Sequence, residues 1–599
     1  MNTQTNQDKA KKETLALLGD EAVALGAIHA GLSAAYGYPG TPSTEIMEYL
    51  IEASRDTSQD ASREVSGNVS REKAFTARWC SNEKTAMEAA LGASFAGKRV
   101  LVTMKHVGLN VAADPFINSA LLEIHGGLVV AVADDPGMHS SQGEQDSRFY
   151  SFFAMTPCLE PRNQQEAYDL CLEAFEVSEK FHLPVMLRLA TRLSHARAAV
   201  KTAAAGTQNS LSKMKDKTRW MLLPAYARRN YADLIEKQKA LASWSSAHSV
   251  NKLELEGRDT AFAVITSGLG GNYYEENLDD LVSSRGGKNP ARLHIGAYPI
   301  PADLVRKICE KAEKVLVIEE GQPFIEERLR GILPQKIAIY GRLNNPGDVM
   351  VVPRTGELDP DSVRKSLGLQ PRPSVLDSAP GSQGVINSGI KIPALPGRPP
   401  QLCQGCPHGD SYQTINRAVA ELDPSQGHTG TAVCSDIGCY SLGAAPPYSA
   451  IESIVCMGAS VGMARGAAEA GIRYALAVIG DSTFLHSGIT GLVDAVQADT
   501  PMTVIILDNS IVAMTGCQET IVPSEKLRDL ILGLGVKAEH CLELETISRL
   551  HEENTMRLKK EMEYRGLSVV IFKRECLEAF RKRRKTAAQD SAQKSSAKP

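Results

Sequence analysis

Cysteine is scarce, with twelve in 599 residues, too few for a disulfide scaffold in a chain this long. Reduced thiols are expected, with the clustered ones as metal ligands. Neither charge sign dominates: 66 Lys and Arg stand against 70 Asp and Glu, a net charge of −4. Bulk charge therefore points to neither nucleic acid nor a membrane surface, and neither is expected as a partner. No apolar run approaches the ~18 residues that would span a bilayer. Met1 to Glu13 is polar with no apolar core, unlike a secretory signal, so the expected location is cytoplasmic. Apolar residues at 43% and charged residues at 23% exclude disorder over most of the chain. The length excludes a single small module and predicts three to five domains at roughly 100–200 residues each.

Residues 15–200 alternate helical patterns with short apolar runs. Val100 to Met104 and Leu128 to Ala133 read as strands, and Ala86 to Ala96 and Gln164 to Phe181 as helices. Such alternation predicts an α/β fold of parallel sheets with helices on both faces. Residues 201–255 read as a polar helical excursion. Residues 256–370 form a second α/β segment, with strands Ala261 to Thr266 and Val315 to Ile318 and a helix Asp303 to Glu313. Residues 371–400 read as a proline-rich extended linker. Residues 401–580 form a third α/β segment, with strands Tyr474 to Ile479, Met502 to Leu507 and Leu567 to Phe572. Residues 1–14 and the basic tail 581–599 read as flexible ends. The five consecutive cations Arg581 to Lys585 are read as a solvated run, with docking of an acidic partner as the other reading.

One motif occurs twice. Residues 92–99 and 466–473 both fit Gly-Ala-x-x-Ala-Gly-x-Arg, each between a small-residue helix and an apolar strand. Gly97 and Gly471 suit helix C-termini. Either Ala/Gly-rich helices coincide, or the first and third segments share a fold by duplication.

The chemistry starts at Gly480-Asp481-Ser482, after one strand, and Asn509-Ser510-Ile511, after another. In open α/β sheets ligands bind beyond the carboxyl ends of strands. Asp481, Asn509 and the Ile511 carbonyl present three oxygens to one Mg²⁺, which also accepts water and phosphate oxygens. The helix that follows offers N–H groups to a phosphate.

These residues make a variant of the thiamine diphosphate (TPP) signature, and the likeness continues through the chain. Tyr38-Pro39-Gly40-Thr41-Pro42-Ser43, Asn82-Glu83-Lys84-Thr85-Ala86, Cys403-Gln404-Gly405-Cys406-Pro407-His408 and Asp436-Ile437-Gly438-Cys439-Tyr440 all take part. Over about residues 15–580 the sequence resembles the alpha subunits of indolepyruvate ferredoxin oxidoreductases, in the TPP-dependent 2-oxoacid:ferredoxin oxidoreductase family. The resemblance implies a pyrimidine-binding domain at 15–200, a transketolase C-terminal-like domain at 256–370 and a diphosphate-binding domain at 401–580. It implies TPP, Mg²⁺ and one 4Fe-4S cluster as cofactors. It also implies oxidative decarboxylation of a 2-oxoacid to an acyl-CoA and CO2, with electrons leaving to ferredoxin or another acceptor. An arylpyruvate is the expected substrate. The pyruvate-specific relatives carry an arginine where this chain reads Ala133-Asp134-Asp135-Pro136-Gly137, and an asparagine where it has Ala513-Met514-Thr515-Gly516. Neither is here.

By the same resemblance Glu83 sets the tautomer of the cofactor's aminopyrimidine. The Thr41 hydroxyl meets the substrate, unless it caps the helix that follows. His106 and His486 are candidate acid/base groups. Gly40, Asp436, Gly438, Gly458, Gly480, Ser482, Asn509 and Ile511 join Glu83 and Asp481 around the cofactor. Cys403, Cys406, Cys439 and Cys576 hold the cluster, with Cys434 as a rival for the third position. The usual cysteine-rich C-terminal segment of the family is absent, since no cysteine follows Cys576. A separate beta subunit is expected, in an α2β2 assembly. Two other readings keep part of this set: a non-redox TPP decarboxylase or synthase that needs no clustered cysteines, and a scaffold subunit with a structural zinc at Cys403 and Cys406.

Overall fold

The computed structural model describes residues 14–59, 75–212, 216–332, 336–343, 350–372, 384–385, 391–392, 401–424, 430–454 and 456–585. Most of the N-terminus, most of the proline-rich stretch and residues 586–599 of the tail lie outside the described residues. The chain divides into two compact units, residues 1–394 and 395–599.

The first unit holds a seven-stranded sheet. Six of its strands are parallel, in the spatial order Thr76–Trp79, Ala34–Gly37, Val100–Lys105, Leu128–Asp134, Val185–Ala190 and Cys158–Leu159. The seventh, Ala297–Tyr298, pairs antiparallel with Cys158–Leu159 and comes from the second segment. A five-stranded sheet built on Asp259–Ser267, Pro290–Ile295 and Lys314–Ile318 completes the unit. One apolar core runs from Leu17 to Leu367, so the first and second segments share an interior. The excursion after residue 200 contains a 24-residue helix, Pro224–Ala247, that buries Leu234 and Leu241. The helix expected over Asp303 to Glu313 is shorter, Ala302–Cys309.

The second unit holds a six-stranded parallel sheet ordered Ser453–Ile454, Thr431–Ser435, Tyr474–Gly480, Met502–Asp508, Ser568–Lys573 and Cys541–Glu545. Side chains alternate across a strand. Tyr474, Leu476 and Val478 therefore enter the core on one face, and Ala475, Ala477 and Ile479 the core on the other. Burial on both faces explains why these strands read as unbroken apolar runs.

Numbered along the chain, both parallel sheets have the spatial order 2-1-3-4-6-5. The repeated motif sits at the same place in each. The helices Glu83–Phe95 and Ala459–Glu469 both lead through a glycine at φ +79° or +106° into the third strand. The first and third segments thus share a topology, as the second of the two readings expects. In each sheet the strand order reverses between the first and third strands, which is where doubly wound sheets bind ligands.

The five tail cations are not a flexible run. A helix over residues 577–585 includes Arg581 to Lys585. Glu578 pairs with Arg581 at 2.5 Å, and Glu575 with Arg583. Each acid neutralises a cation that would otherwise repel its helical neighbours.

Candidate active site

In the first unit the loop after Ala34–Gly37 lies against the end of Val100–Lys105. A β-carbon on Gly40 would come within 3.0 Å of Lys105 Cδ. The loop closes on itself: Ser43 Oγ donates to the Gly40 carbonyl at 2.8 Å, and Gly40 N–H donates to Thr44 Oγ1 at 3.1 Å. Thr41 is partly exposed, and its carbonyl accepts from Ser140 Oγ at 3.1 Å. The helix that follows, Thr44–Gln59, starts beyond Thr41.

Glu83 opens its helix behind the Asn82 cap and is 4% exposed. Gly108 leaves room for it, since a β-carbon there would lie 2.4 Å from Glu83 Oε1. His106 is buried, with Nε2 at 3.0 Å from the Gly143 carbonyl and Nδ1 without a partner among the described residues. Lys105, its neighbour, was not singled out in the sequence. Burial pulls its ammonium down to about 8, against the opposing charges of Asp135 and Glu83. Its Nζ donates to the Ser140 carbonyl at 3.0 Å. The acids of the segment that lacks arginine are both engaged. Asp134 accepts from Arg188 Nε at 2.7 Å, and Asp135 from Thr191 Oγ1 at 2.7 Å and Ser141 Oγ at 2.8 Å.

In the second unit Asp436 and Asp481 stand at the carboxyl ends of the first and third strands, and Asn509 follows the fourth. Asp436 Oδ2 accepts from Ser460 N–H at 3.2 Å, in the first turn of Ala459–Glu469. Its Oδ1 is buried with no partner among the described residues, and burial pushes its carboxyl up to about 6. Asp481 is buried; Oδ1 accepts from Ser482 N–H at 2.8 Å and Oδ2 from Ser510 N–H at 2.9 Å. Burial, and then the charge of Asp508, push the Asp481 carboxyl well up. Two buried carboxylates this close favour a cation beside them.

Asn509 Oδ1 accepts from Ile511 N–H at 3.2 Å, and its amide nitrogen faces His408 Nε2 at 3.3 Å. Burial pulls His408 down to about 4, so a neutral imidazole is there to accept. An amide oxygen has two lone pairs, so Asn509 retains one for a ligand. Among the described residues no group of three His, Cys, Asp or Glu side chains is gathered to hold a metal ion. The oxygen set of Asp481, Asn509 and the Ile511 carbonyl, completed by phosphate and water, is a different kind of site and fits Mg²⁺ chemically.

Three glycines have steric reasons of their own. β-Carbons on Gly438 and Gly480 would come within 2.4 and 2.6 Å of the Tyr440 ring. Gly458 has φ +87°, and a β-carbon there would lie 2.5 Å from Ser487 Cβ. His486 is buried in a π-helical turn, Phe484–Gly488, between the start at Asp481 and the helix Ile489–Gln497. Such turns are frequent at functional sites. Its Nδ1 lies 2.6 Å from Ser487 Oγ.

Of the cysteines that the sequence singles out, Cys403, Cys406, Cys439 and Cys576 lie near one another and Cys434 lies apart, though among the described residues no three of them are gathered to hold a metal ion. Cys439 is pushed up to about 12 by burial and then by the charges of Cys406, Cys576, Cys403 and Cys517. Cys406 is pushed up to about 11 by burial, with Cys403 and Cys576 adding to it. These thiols therefore lie within one another's electrostatic reach. Cys576 N–H donates to the Asn509 carbonyl at 3.3 Å, which joins this set to the oxygen set. Cys434, the rival, is in the apolar core with Val461 and Ala477. Cys517, in the 513–517 loop, is a member that the sequence did not single out.

A family model described as pyruvate flavodoxin/ferredoxin oxidoreductase, thiamine diphosphate-binding, matches residues 25–240. A second, the C-terminal TPP-binding domain of thiamine pyrophosphate enzymes, matches residues 436–529. Both models are of TPP-binding domains, and they define the class of the fold. Among curated proteins, the indolepyruvate oxidoreductase subunit IorA of Archaeoglobus fulgidus is 36% identical over 95% of this chain and 87% of its own length. Those of Methanothermobacter thermautotrophicus and Thermococcus kodakarensis are 34% and 32% identical, over 94% of this chain and 87% and 86% of theirs. The chain belongs to the family of indolepyruvate oxidoreductase IorA subunits, as its motifs implied. A solved 2-oxoglutarate:ferredoxin oxidoreductase from Magnetococcus marinus aligns with TM-score 0.44 at 16% identity, over 55% of this chain and 62% of that one.

Proposed function

We propose that the chain is the catalytic alpha subunit of a CoA-acylating oxidoreductase that oxidatively decarboxylates arylpyruvates. Its products are aryl-acetyl-CoA, CO2 and two electrons. The observation that carries the redox reading is the bond from Cys576 N–H to the Asn509 carbonyl at 3.3 Å. It supports the reading because it joins Cys576 to Asn509, one of the residues that would hold Mg²⁺. TPP, when bound, stabilises the carbanion left by decarboxylation. Glu83 would hold a proton at its aminopyrimidine. Asp481, Asn509 and the Ile511 carbonyl would ligate Mg²⁺, and Cys403, Cys406, Cys439 and Cys576 one 4Fe-4S cluster.

Lys105 supplies the positive charge that the Ala133 to Gly137 segment lacks, and is assigned to the substrate carboxylate. The aryl group fits the absence of arginine there and the apolar Met514. His106 and His486 are the remaining acid/base candidates, and Thr41 a substrate contact. A beta subunit in an α2β2 assembly, and ferredoxin or a similar acceptor, complete the system. Anaerobic purification with metal, sulfide and TPP analysis tests the reading, followed by assays with indolepyruvate, phenylpyruvate and pyruvate. Iron with sulfide and TPP is expected, and arylpyruvates should outrun pyruvate. TPP without iron would point to a non-redox lyase, and zinc without TPP to a scaffold.

A further inference from the structure

The five cations Arg581 to Lys585 are not used by this reading. They do not trail from the protein. Phe580 N–H donates to the Cys576 carbonyl at 3.0 Å, so the basic helix starts at the last cysteine of the set. At 1.5 Å per residue, the cations begin about 8 Å along the axis from Cys576. Lys582 Nζ donates to the Gly516 carbonyl at 3.2 Å, which ties the helix to the loop that carries Cys517. Arg584 lies over the Phe580 ring at 5.8 Å. The helix is thus tied to that loop through Lys582 while its charges stay in water: the Arg581 and Arg583 side chains are 65% and 69% exposed. Glu578 and Glu575 pair with two of the five cations, Arg581 and Arg583. Its one large exposed apolar side chain is Phe580, and Ala579 is buried, so it lacks the wide apolar face of a membrane-binding helix.

We propose that this helix and the adjoining 513–517 loop are the docking surface for an acidic one-electron carrier protein. The proposal rests on the redox reading above and adds where the electrons leave. Oxidising one 2-oxoacid anion with CoA gives acyl-CoA, CO2, one proton and two electrons, so two oxidised carriers are each reduced once per turnover. Each must arrive and leave. A fixed positive patch suits that exchange, because it raises the encounter rate without a large buried interface.

The test uses the intact alpha–beta complex and a variant with Arg581, Arg583, Arg584 and Lys585 changed to Glu. Lys582 is kept as the anchor to Gly516. Reduction of an acidic ferredoxin is compared with reduction of methyl viologen, across ionic strength. For ferredoxin, kcat/KM at low salt should fall by about 10- to 100-fold and lose its salt dependence. The viologen rate should stay within about twofold. An unchanged ferredoxin kcat/KM would overturn the proposal. If both rates collapse in the Glu variant, the same positions changed to Gln decide. A selective ferredoxin loss there supports docking, and any other pattern rejects it. If the wild-type complex oxidises no 2-oxoacid, the redox reading fails. Docking is then judged by calorimetric titration with oxidised ferredoxin at low salt. Binding that the Glu variant weakens supports it; no binding, or displacement of ferredoxin by duplex DNA, rejects it.

Discussion

Asp481 and Asp508 share one backbone donor: Ser510 N–H lies 2.9 Å from Asp481 Oδ2 and 3.0 Å from Asp508 Oδ1. The arrangement holds two acids together that repel each other, and Ser510 takes a positive φ of 66° to do it. Asp481→Asn removes the repulsion at constant shape. The cofactor-free protein should melt at the same temperature or higher. Affinity for TPP–Mg²⁺ should fall by at least about tenfold, or 1.4 kcal/mol. Calorimetry with and without Mg²⁺ checks both halves; an unchanged affinity would remove Asp481 from the metal.

Gly108 gives access to Glu83 without altering its chemistry. Gly108→Ala puts a β-carbon 2.4 Å from Glu83 Oε1, so the carboxylate must shift by about 1 Å, a misplacement that costs on the order of 100-fold in rate. Glu83→Gln should lower turnover while leaving TPP binding intact. Both variants are to be measured by kcat and by TPP titration. Full turnover in either one would detach Glu83 from catalysis.

Lys105 predicts a pH profile. It must be protonated to hold a carboxylate, and burial sets its loss of the proton at about 8. The kcat/KM for a 2-oxoacid should therefore be level below that value and fall as pH rises through it, because this parameter reports the free enzyme. Lys105→Met should raise KM more than about tenfold and erase that limb. An alkaline limb that persists in the variant would belong to another group.

The two cysteine sets separate in an iron assay. Cys439→Ser and Cys576→Ser should lose the iron, expected at about four atoms per chain. Cys434→Ala should keep it, since that side chain belongs to the apolar core. Equal iron in all three variants would place the cluster elsewhere or nowhere.

What the sequence revealed follows from burial. Tyr474 to Ile479 is apolar on both faces and so reads as a strand without help from neighbours. Asp481 and Asn509 were legible because strand ends are where such sheets bind ligands. Lys105 was not, because a lone lysine after an apolar run looks like a solvated end. Asp508 directly precedes the Asn509 motif, but its closeness to Asp481 depends on two strands meeting side by side. The two-residue strand Ala297–Tyr298 has no periodicity to detect. Arg581 to Lys585 read as a tail because charge runs usually are; Glu578 and Phe580 meet Arg581 and Arg584 through helical spacing, and Glu575 reaches Arg583 from before the helix.

The edge strand Ala297–Tyr298 has a consequence for how the chain is made. Arg148 and Arg188, from the first segment, both donate to the Glu320 carbonyl, at 3.0 and 3.1 Å, and Arg148 also meets the Glu319 carboxylate at 3.0 Å. A ribosome-bound chain of the first 250 residues has neither that strand nor those acceptors. Its first sheet presents an open margin, the kind of edge that recruits strands from other chains. Closure waits for residues beyond 320, so a cut at residue 200 or 255 should give an aggregating fragment rather than a soluble half.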